Sequence, residues 1–192
     1  MQPKKKKNLA GHKGVASGNN ITSQSKQVQN KPADVVVIGD SITKNIIGKK
    51  LSRNQNVNAF SFSGATINDM VDFAKPVIKR KPKKIILHVG TNNLKMDQPK
   101  KIKNKVAGSV DSIKAEHPSI DVAVSSIIFR SDVNSKIDEV NRRLSSFCQS
   151  KKWVFIDNSN IKEDSLNRSG LHLNRKGVYR LASNFREYIN GD

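Results

Sequence analysis

Ser41 and His172 are the two residues of this 192-residue chain whose types could do nucleophilic chemistry together. A serine hydroxyl attacks well only when a base within hydrogen-bond reach takes its proton, and a neutral imidazole is the usual base near pH 7. Ser41 ends the tripeptide Gly39-Asp40-Ser41 directly after an apolar run, and His172 stands in Gly170-Leu171-His172-Leu173-Asn174. The other histidines are poorer partners. His12 lies in a polar N-terminal stretch, His117 precedes Pro118, and His88 sits inside an apolar run, where a satisfied core imidazole is expected. Attack on a carbonyl carbon builds negative charge on the oxygen of a tetrahedral intermediate, so the site also needs preorganised donors. The N–H groups of Ser41 and Gly64 and the side-chain amide of Asn92 could supply three. Taken alone, Gly-Asp-Ser reads better as a common turn with a serine cap, and Ser63-Gly64 reads simply as a tight turn.

The elements that must position these residues alternate from Asp34 onward. Val35 to Ile38 is a continuous apolar run, as a strand buried on both faces would read. Further strands are expected over Val57 to Phe62, Lys84 to Val89, Val122 to Phe129 and Trp153 to Ile156. Between them, Ile102, Val106, Val110 and Ile113 recur at helical steps, with Asp97 and Pro99 as start signals. Ile137, Val140, Leu144 and Phe147 form a second stripe, with Ser135 and Asp138 spaced as a capping box. Val178, Leu181, Phe185 and Ile189 form the last, capped by Asn174, and weaker helices are expected after Ser41 and Thr66. Strand then helix, five times over, implies an α/β fold with a parallel sheet covered on both faces, a three-layer α/β/α sandwich. Ligands of such sheets bind beyond the carboxyl ends of the strands. Ser41, Gly64 and Asn92 all follow strands, and His172 precedes the last helix. Four dispersed segments therefore converge on one rim.

Composition divides the chain. Residues 1–31 carry seven lysines, including Lys4, Lys5, Lys6 and Lys7, no acidic residue and few large apolar side chains. Such a segment cannot bury enough surface to offset the entropy of ordering it, so a disordered basic tail is expected before a domain over 32–192. The formal net charge is +19, of which +12 remains after the tail. From Lys79 to Lys105 ten Lys or Arg stand against one acid, Asp97. These blocks, with Lys100, Lys101, Lys103 and Lys105 at their densest, are an electrostatic footprint for RNA or DNA. Few aromatics accompany them, which favours phosphate contact over base stacking. Lys4–Lys7 also has the form of a short nuclear import signal. No segment is long and apolar enough for a signal peptide or a membrane span. The lone Cys148 falls on a helical apolar stripe and reads as a buried structural thiol in a reducing compartment. An intracellular protein, cytoplasmic or nuclear, is the expectation. No Cys/His/Asp cluster has metal-ligand spacing, and Gly39-Asp40-Ser41 lacks the glycine pattern of a nucleotide loop, so neither metal nor cofactor is expected.

Together the four blocks resemble the SGNH hydrolases, also called GDSL esterases and lipases. Gly39-Asp40-Ser41 matches the nucleophile block, Gly64 the glycine block, Gly90-Thr91-Asn92-Asn93 the Gly-x-Asn block and Gly170–Asn174 the histidine block, over about residues 34–190. The resemblance implies a flavodoxin-like sandwich with a five-stranded parallel sheet. It implies hydrolysis of small acyl-ester or lipid substrates through an acyl-serine. Ser41 would be nucleophile and oxyanion donor, Gly64 and Asn92 the other donors, and His172 the general base. More narrowly, Ile86-Leu87-His88-Val89-Gly90-Thr91-Asn92 and Gly170-Leu171-His172-Leu173-Asn174 resemble the esterase-like domains of animal LINE-type retrotransposons.

One position departs from the pattern. The family places an aspartate three residues before the histidine, and this chain has Ser169 there. Serine can accept a hydrogen bond but brings no charge, and losing the charge of the acid can cost a triad about 10⁴-fold in rate. A backbone carbonyl near Ser169 could hold the imidazole and leave a Ser–His dyad, or Asp164, Glu163 or Asp157 could replace the acid. Alternatively the scaffold is a weak or inactive relic that binds nucleic acid, or a protein-interaction domain. Nothing in the sequence specifies an oligomeric state.

Overall fold

In the computed structural model, residues 32–131 and 134–191 are described. The expected basic tail, with Lys4–Lys7, lies outside them. Five strands, β1 (Val35–Gly39), β2 (Val57–Ser61), β3 (Lys84–His88), β4 (Asp121–Ser125) and β5 (Val154–Ile156), form one parallel sheet in the order β2-β1-β3-β4-β5. Among the described residues four α-helices accompany it: α1 (Ile67–Ile78), α2 (Pro99–Glu116), α3 (Asn134–Lys151) and α4 (Arg175–Asn190). The order is that of a doubly wound sheet, with its topological switch between β1 and β3.

Alternation along the strands divides the apolar side chains into two cores. Val36, Ile38, Ile85, Leu87, Val122 and Val124 join the stripes of α1, α2 and α3. On the other face Val35, Val37, Ile86, Ala123 and Ile156 pack with Leu181, Phe185 and Ile189 of α4. The layers are therefore unequal, with three helices against one. Cys148 belongs to the larger core, is buried as expected, and has its thiol pKa pushed up to about 11 by burial. Among the described residues no helix is long and apolar enough to cross a membrane.

The helix expected after Ser41 is absent. The chain there makes two single turns of 3₁₀ helix, Ser41–Thr43 and Gly48–Lys50. Ile42, Thr43, Ile46 and Ile47 are β-branched and Gly48 follows, a composition that disfavours a continuing α-helix. Ile42, Ile46 and Leu51 nonetheless plug the smaller core beside α4. The other departures are local. Strand β4 stops at Ser125 because the Asn141 side chain of α3 takes both backbone groups of Ile127, accepting from its N–H (2.9 Å) and donating to its carbonyl (2.7 Å). Helix α3 begins at Asn134, which puts Ser135 inside its first turn and not at a capping box. The Thr66 helix is well made, with a capping box to Asp69. Asp97 does not cap α2, whose N-cap is Gln98 with Pro99 at the first helical position.

Candidate active site

Ser41 is held by the residue before it. The carboxylate of Asp40 accepts from Ile42 N–H (3.0 Å), while its backbone carbonyl accepts from the hydroxyls of Thr43 (3.0 Å) and Ser61 (2.8 Å). Asp40 is fully buried, so the turn is tied to the ends of β1 and β2 from beneath. A three-residue turn adds little dipole, and the Ser41 N–H acts as a local donor more than as a helix end. Behind it, His88 is buried on β3 with Nδ1 2.9 Å from Ser125 Oγ. The expectation of a satisfied imidazole holds for that nitrogen alone. Among the described residues Nε2 has no partner, and burial pushes the pKa of the ring below its usual value.

Gly64 follows β2 with φ +81°. A Cβ at this position would meet no protein atom within 4 Å, so the glycine is required by its left-handed backbone and not by close packing. Gly90, at φ 111°, turns the chain from β3 into the 3₁₀ turn Thr91–Asn93. There the two asparagines divide the work. Asn92 donates one amide hydrogen to the Ala65 carbonyl (2.9 Å), which aims its side chain along the Gly64 loop and leaves the second hydrogen for a ligand. Asn93 is architectural: it caps α1 by accepting from Ile67 N–H (3.0 Å) and donates to the buried Asp97 (2.7 Å).

His172 is carried on a short hairpin. Leu166 bridges Leu173 in antiparallel fashion, Asn167 N–H donates to the His172 carbonyl (2.7 Å), and Gly170 N–H donates to the Asn167 carbonyl (2.9 Å). Gly170 takes φ +68° to close the turn. Asn174 then caps α4 by accepting from Gly177 N–H (3.0 Å), as expected, and donates back to the carbonyls of Asp164 and Leu166. The histidine hairpin and the helix are thus pinned by one side chain.

These segments meet. Ser41, Gly64, Asn92 and His172 line a cleft of about 510 Å³ together with Lys44, Asn45, Ser63 and Asn167. A second lobe of about 210 Å³ opens from Ser41, Asn92 and His172 toward Thr91, Lys95, Arg130 and Leu171. Lys44, Asn45, Lys95, Arg130 and Asn167 carried no signal in the sequence, because only the folded loops gather them. An apolar cavity of about 40 Å³ between α1 and α2 shares no lining residue with either lobe.

The proposed orienters of His172 are elsewhere. Ser169 lies exposed at the hairpin tip and donates its hydroxyl to Asn167 Oδ1 (2.8 Å). Asp164 is committed to Lys176 (2.5 Å) and Arg180 (2.7 Å), which hold its carboxyl down at about 2. Asp157 accepts from the backbone N–H and the hydroxyl of Ser159. Glu163 lies exposed on a 3₁₀ turn and lines neither lobe. None of the four hydrogen-bonds the His172 imidazole, and neither does any other described residue. The basic block is also partly spent: Lys101 and Lys105 each lie 2.8 Å from Asp97, and Lys103 sits 4.8 Å over the Phe147 ring, while Lys100 is exposed. Lys101, Lys105 and Asn93 hold the Asp97 carboxyl well below the usual carboxylate range. Among the described residues no group of three or more His, Cys, Asp or Glu is gathered as for a metal ion.

The model of the GDSL-like lipase/acylhydrolase family matches residues 37–180. Among solved structures, a GDSL-like lipase from Bacteroides thetaiotaomicron is similar at 18% identity and a TM-score of 0.71, covering 83% of this chain and 89% of that one. A carbohydrate esterase family 3 protein from Talaromyces cellulolyticus is similar at 19% identity and 0.71, covering 82% and 96%. A lipase/acylhydrolase from Enterococcus faecalis is similar at 18% identity and 0.68, covering 82% and 95%. No curated protein matches the sequence.

Proposed function

Since the chain belongs to the GDSL-like lipase/acylhydrolase family, we infer that it is a serine esterase that cleaves short acyl esters with a Ser41–His172 dyad. The observation that carries this reading is that Ser41, Gly64, Asn92 and His172, from four separate segments, line one cleft. In the reaction His172 takes the Ser41 proton as Oγ attacks the ester carbonyl carbon. The oxyanion is held by the N–H groups of Ser41 and Gly64 and the second Asn92 amide hydrogen. Collapse of the tetrahedral intermediate expels the alcohol, which receives the proton from His172. Water, activated by the same imidazole, then releases the acid and restores Ser41. A short acyl group suits the lining, which is mostly polar around Ser41, with Asn45, Ser63, Asn92 and Asn167 exposed to any chain that enters. A long acyl chain would need an apolar channel to gain from burial.

The test is hydrolysis of p-nitrophenyl acetate and butyrate, paired with fluorophosphonate labelling. Ser41→Ala and His172→Ala are each expected to lower kcat/KM by about 10³-fold or more, and Ser41→Ala to abolish labelling. Equal rates in wild type and Ser41→Ala would exclude this assignment.

A second reading is supported by the charge: +12 remains on residues 32–192, and the blocks resemble the esterase-like domains of LINE-type retrotransposons. On this reading the chain also binds RNA or DNA through phosphates, with or without turnover. Anisotropy of a labelled oligonucleotide should show binding that weakens steeply between 50 and 200 mM salt, and weakens further on removal of residues 1–31. Absence of binding at 50 mM salt would end it.

A further inference from the structure

We propose that Asn167 is the positioning residue of His172, taking over by geometry the part of the acid's task that does not need charge. Three observations carry this. Asn167 Oδ1 is the acceptor on which the hairpin closes, receiving the Ser169 hydroxyl (2.8 Å) and the His172 backbone N–H (3.3 Å). Its own N–H donates to the His172 carbonyl (2.7 Å), so both backbone groups of the histidine rest on one residue. Its side chain also lines the cleft beside Ser41 and His172, whereas Ser169, Asp164 and Asp157 do not.

A triad acid does two things: it fixes the imidazole and it stabilises the imidazolium. In this chain no described carboxylate performs either. The fixing is transferred to the main chain of residue 172, through the loop 168–171 clamped from within. A dyad can then keep its base in place, with the lost charge appearing only as a lower rate. Ser169, at the position where the family places its acid, serves this clamp by donating to Asn167 and makes no hydrogen bond to the ring.

This inference rests on the proposed esterase reading for its kinetic arm, so the experiment includes an arm that does not. Asn167→Ala removes the acceptor, whereas Asn167→Asp keeps an oxygen at the same place. Asn167→Ala should lower kcat for p-nitrophenyl acetate about 10- to 100-fold with KM within about twofold, the range expected for a misplaced catalytic group. Asn167→Asp should hold kcat within about threefold of wild type or above it. In parallel, the His172 ring resonances, followed by NMR on the full chain, should broaden or split in Asn167→Ala and stay single in Asn167→Asp. Wild-type kcat and an unchanged His172 spectrum in Asn167→Ala would overturn the proposal, as would an equal loss in both variants. If Asn167→Ala does not fold, Asn167→Asp decides by itself: retained kcat supports the acceptor role and a 10-fold loss refutes it. If wild type shows no Ser41-dependent turnover while the His172 spectrum still responds to Asn167→Ala, the esterase reading fails and the positioning role stands.

Discussion

Ser169 stands where the family places an aspartate, and it does not take over that residue's hydrogen bond to the histidine. Its hydroxyl serves the hairpin, bonding Asn167 Oδ1 at the exposed tip. The imidazole of His172 therefore faces the cleft without a charged partner among the described residues. Returning the acid should repair this. Ser169→Asp is expected to raise kcat for p-nitrophenyl acetate by about tenfold or more, a part of the roughly 10⁴-fold that a triad acid can contribute. Steady-state kinetics beside a Tm measurement check it. An unchanged or lower kcat at wild-type Tm would mean that the hairpin tip cannot deliver a carboxylate to the ring. Gly64 and Asn92 make a related point. The first is needed for its φ of +81°, the second for an amide aimed by the Ala65 carbonyl, and both requirements are local.

At the scale of elements, the hairpin depends on how α4 is seated. Gly177 lies in the first turn of that helix, and a Cβ there would come within 2.2 Å of the Ser165 carbonyl oxygen and 2.7 Å of Leu173. The obstacle is backbone, so it cannot swing aside. Alanine ordinarily favours a helix over glycine by about 1 kcal/mol, yet Gly177→Ala should destabilise by about 1–3 kcal/mol through overpacking. Because Asn174 and Leu173 join this contact to His172, the proposed esterase activity should fall with stability. Thermal unfolding and kinetics on the same sample test it, and a rise in Tm would refute the packing argument. The 3₁₀ turns after β1 belong to this scale too. They leave α4 as the one α-helix packed on that face of the sheet among the described residues, which is why the seating of a single helix governs the site.

For the whole molecule, charge is the dominant quantity. At +19 the chain repels itself, and its few carboxylates are used as clamps. Asp164 joins the histidine loop to α4 through Lys176 and Arg180, and Asp97 joins the Asn93 turn to α2 through Lys101 and Lys105. Both are more acidic in the folded state than the ordinary value of 3.8. Below that value the unfolded chain binds protons that the folded one resists, so stability is full above about pH 4 and drains as pH falls. For Asp164 the loss should be complete near its folded value of about 2, and for Asp97 it extends lower. Tm should therefore change little on account of these groups from pH 7 to 5 and drop steeply from pH 4 to 2. Asp97→Asn should lower Tm at pH 7 and flatten the acid slope. An acid slope identical to wild type would show that this clamp contributes nothing.

Much of this molecule was legible before its fold. Continuous apolar runs ending in glycine read as buried strands, and helical stripes such as Ile102–Val106–Val110 alternate with them, so the α/β sandwich follows from the alternation of the two periods. The same logic placed Ser41, Gly64, Asn92 and His172 on one rim, because in a parallel sheet every strand delivers its last residue to the same edge. Three things waited for the tertiary structure. The Ser41 segment abandons its helix because β-branched side chains and Gly48 disfavour it. Asp157 and Asp164 turn away because Ser159, Lys176 and Arg180 hold them, pairings that join distant or unpredictable neighbours. Asn167 gained a place beside His172 only when the hairpin closed. Spacing along a chain determines which side chains reach an edge; which of them then bond one another depends on distances that exist only after folding.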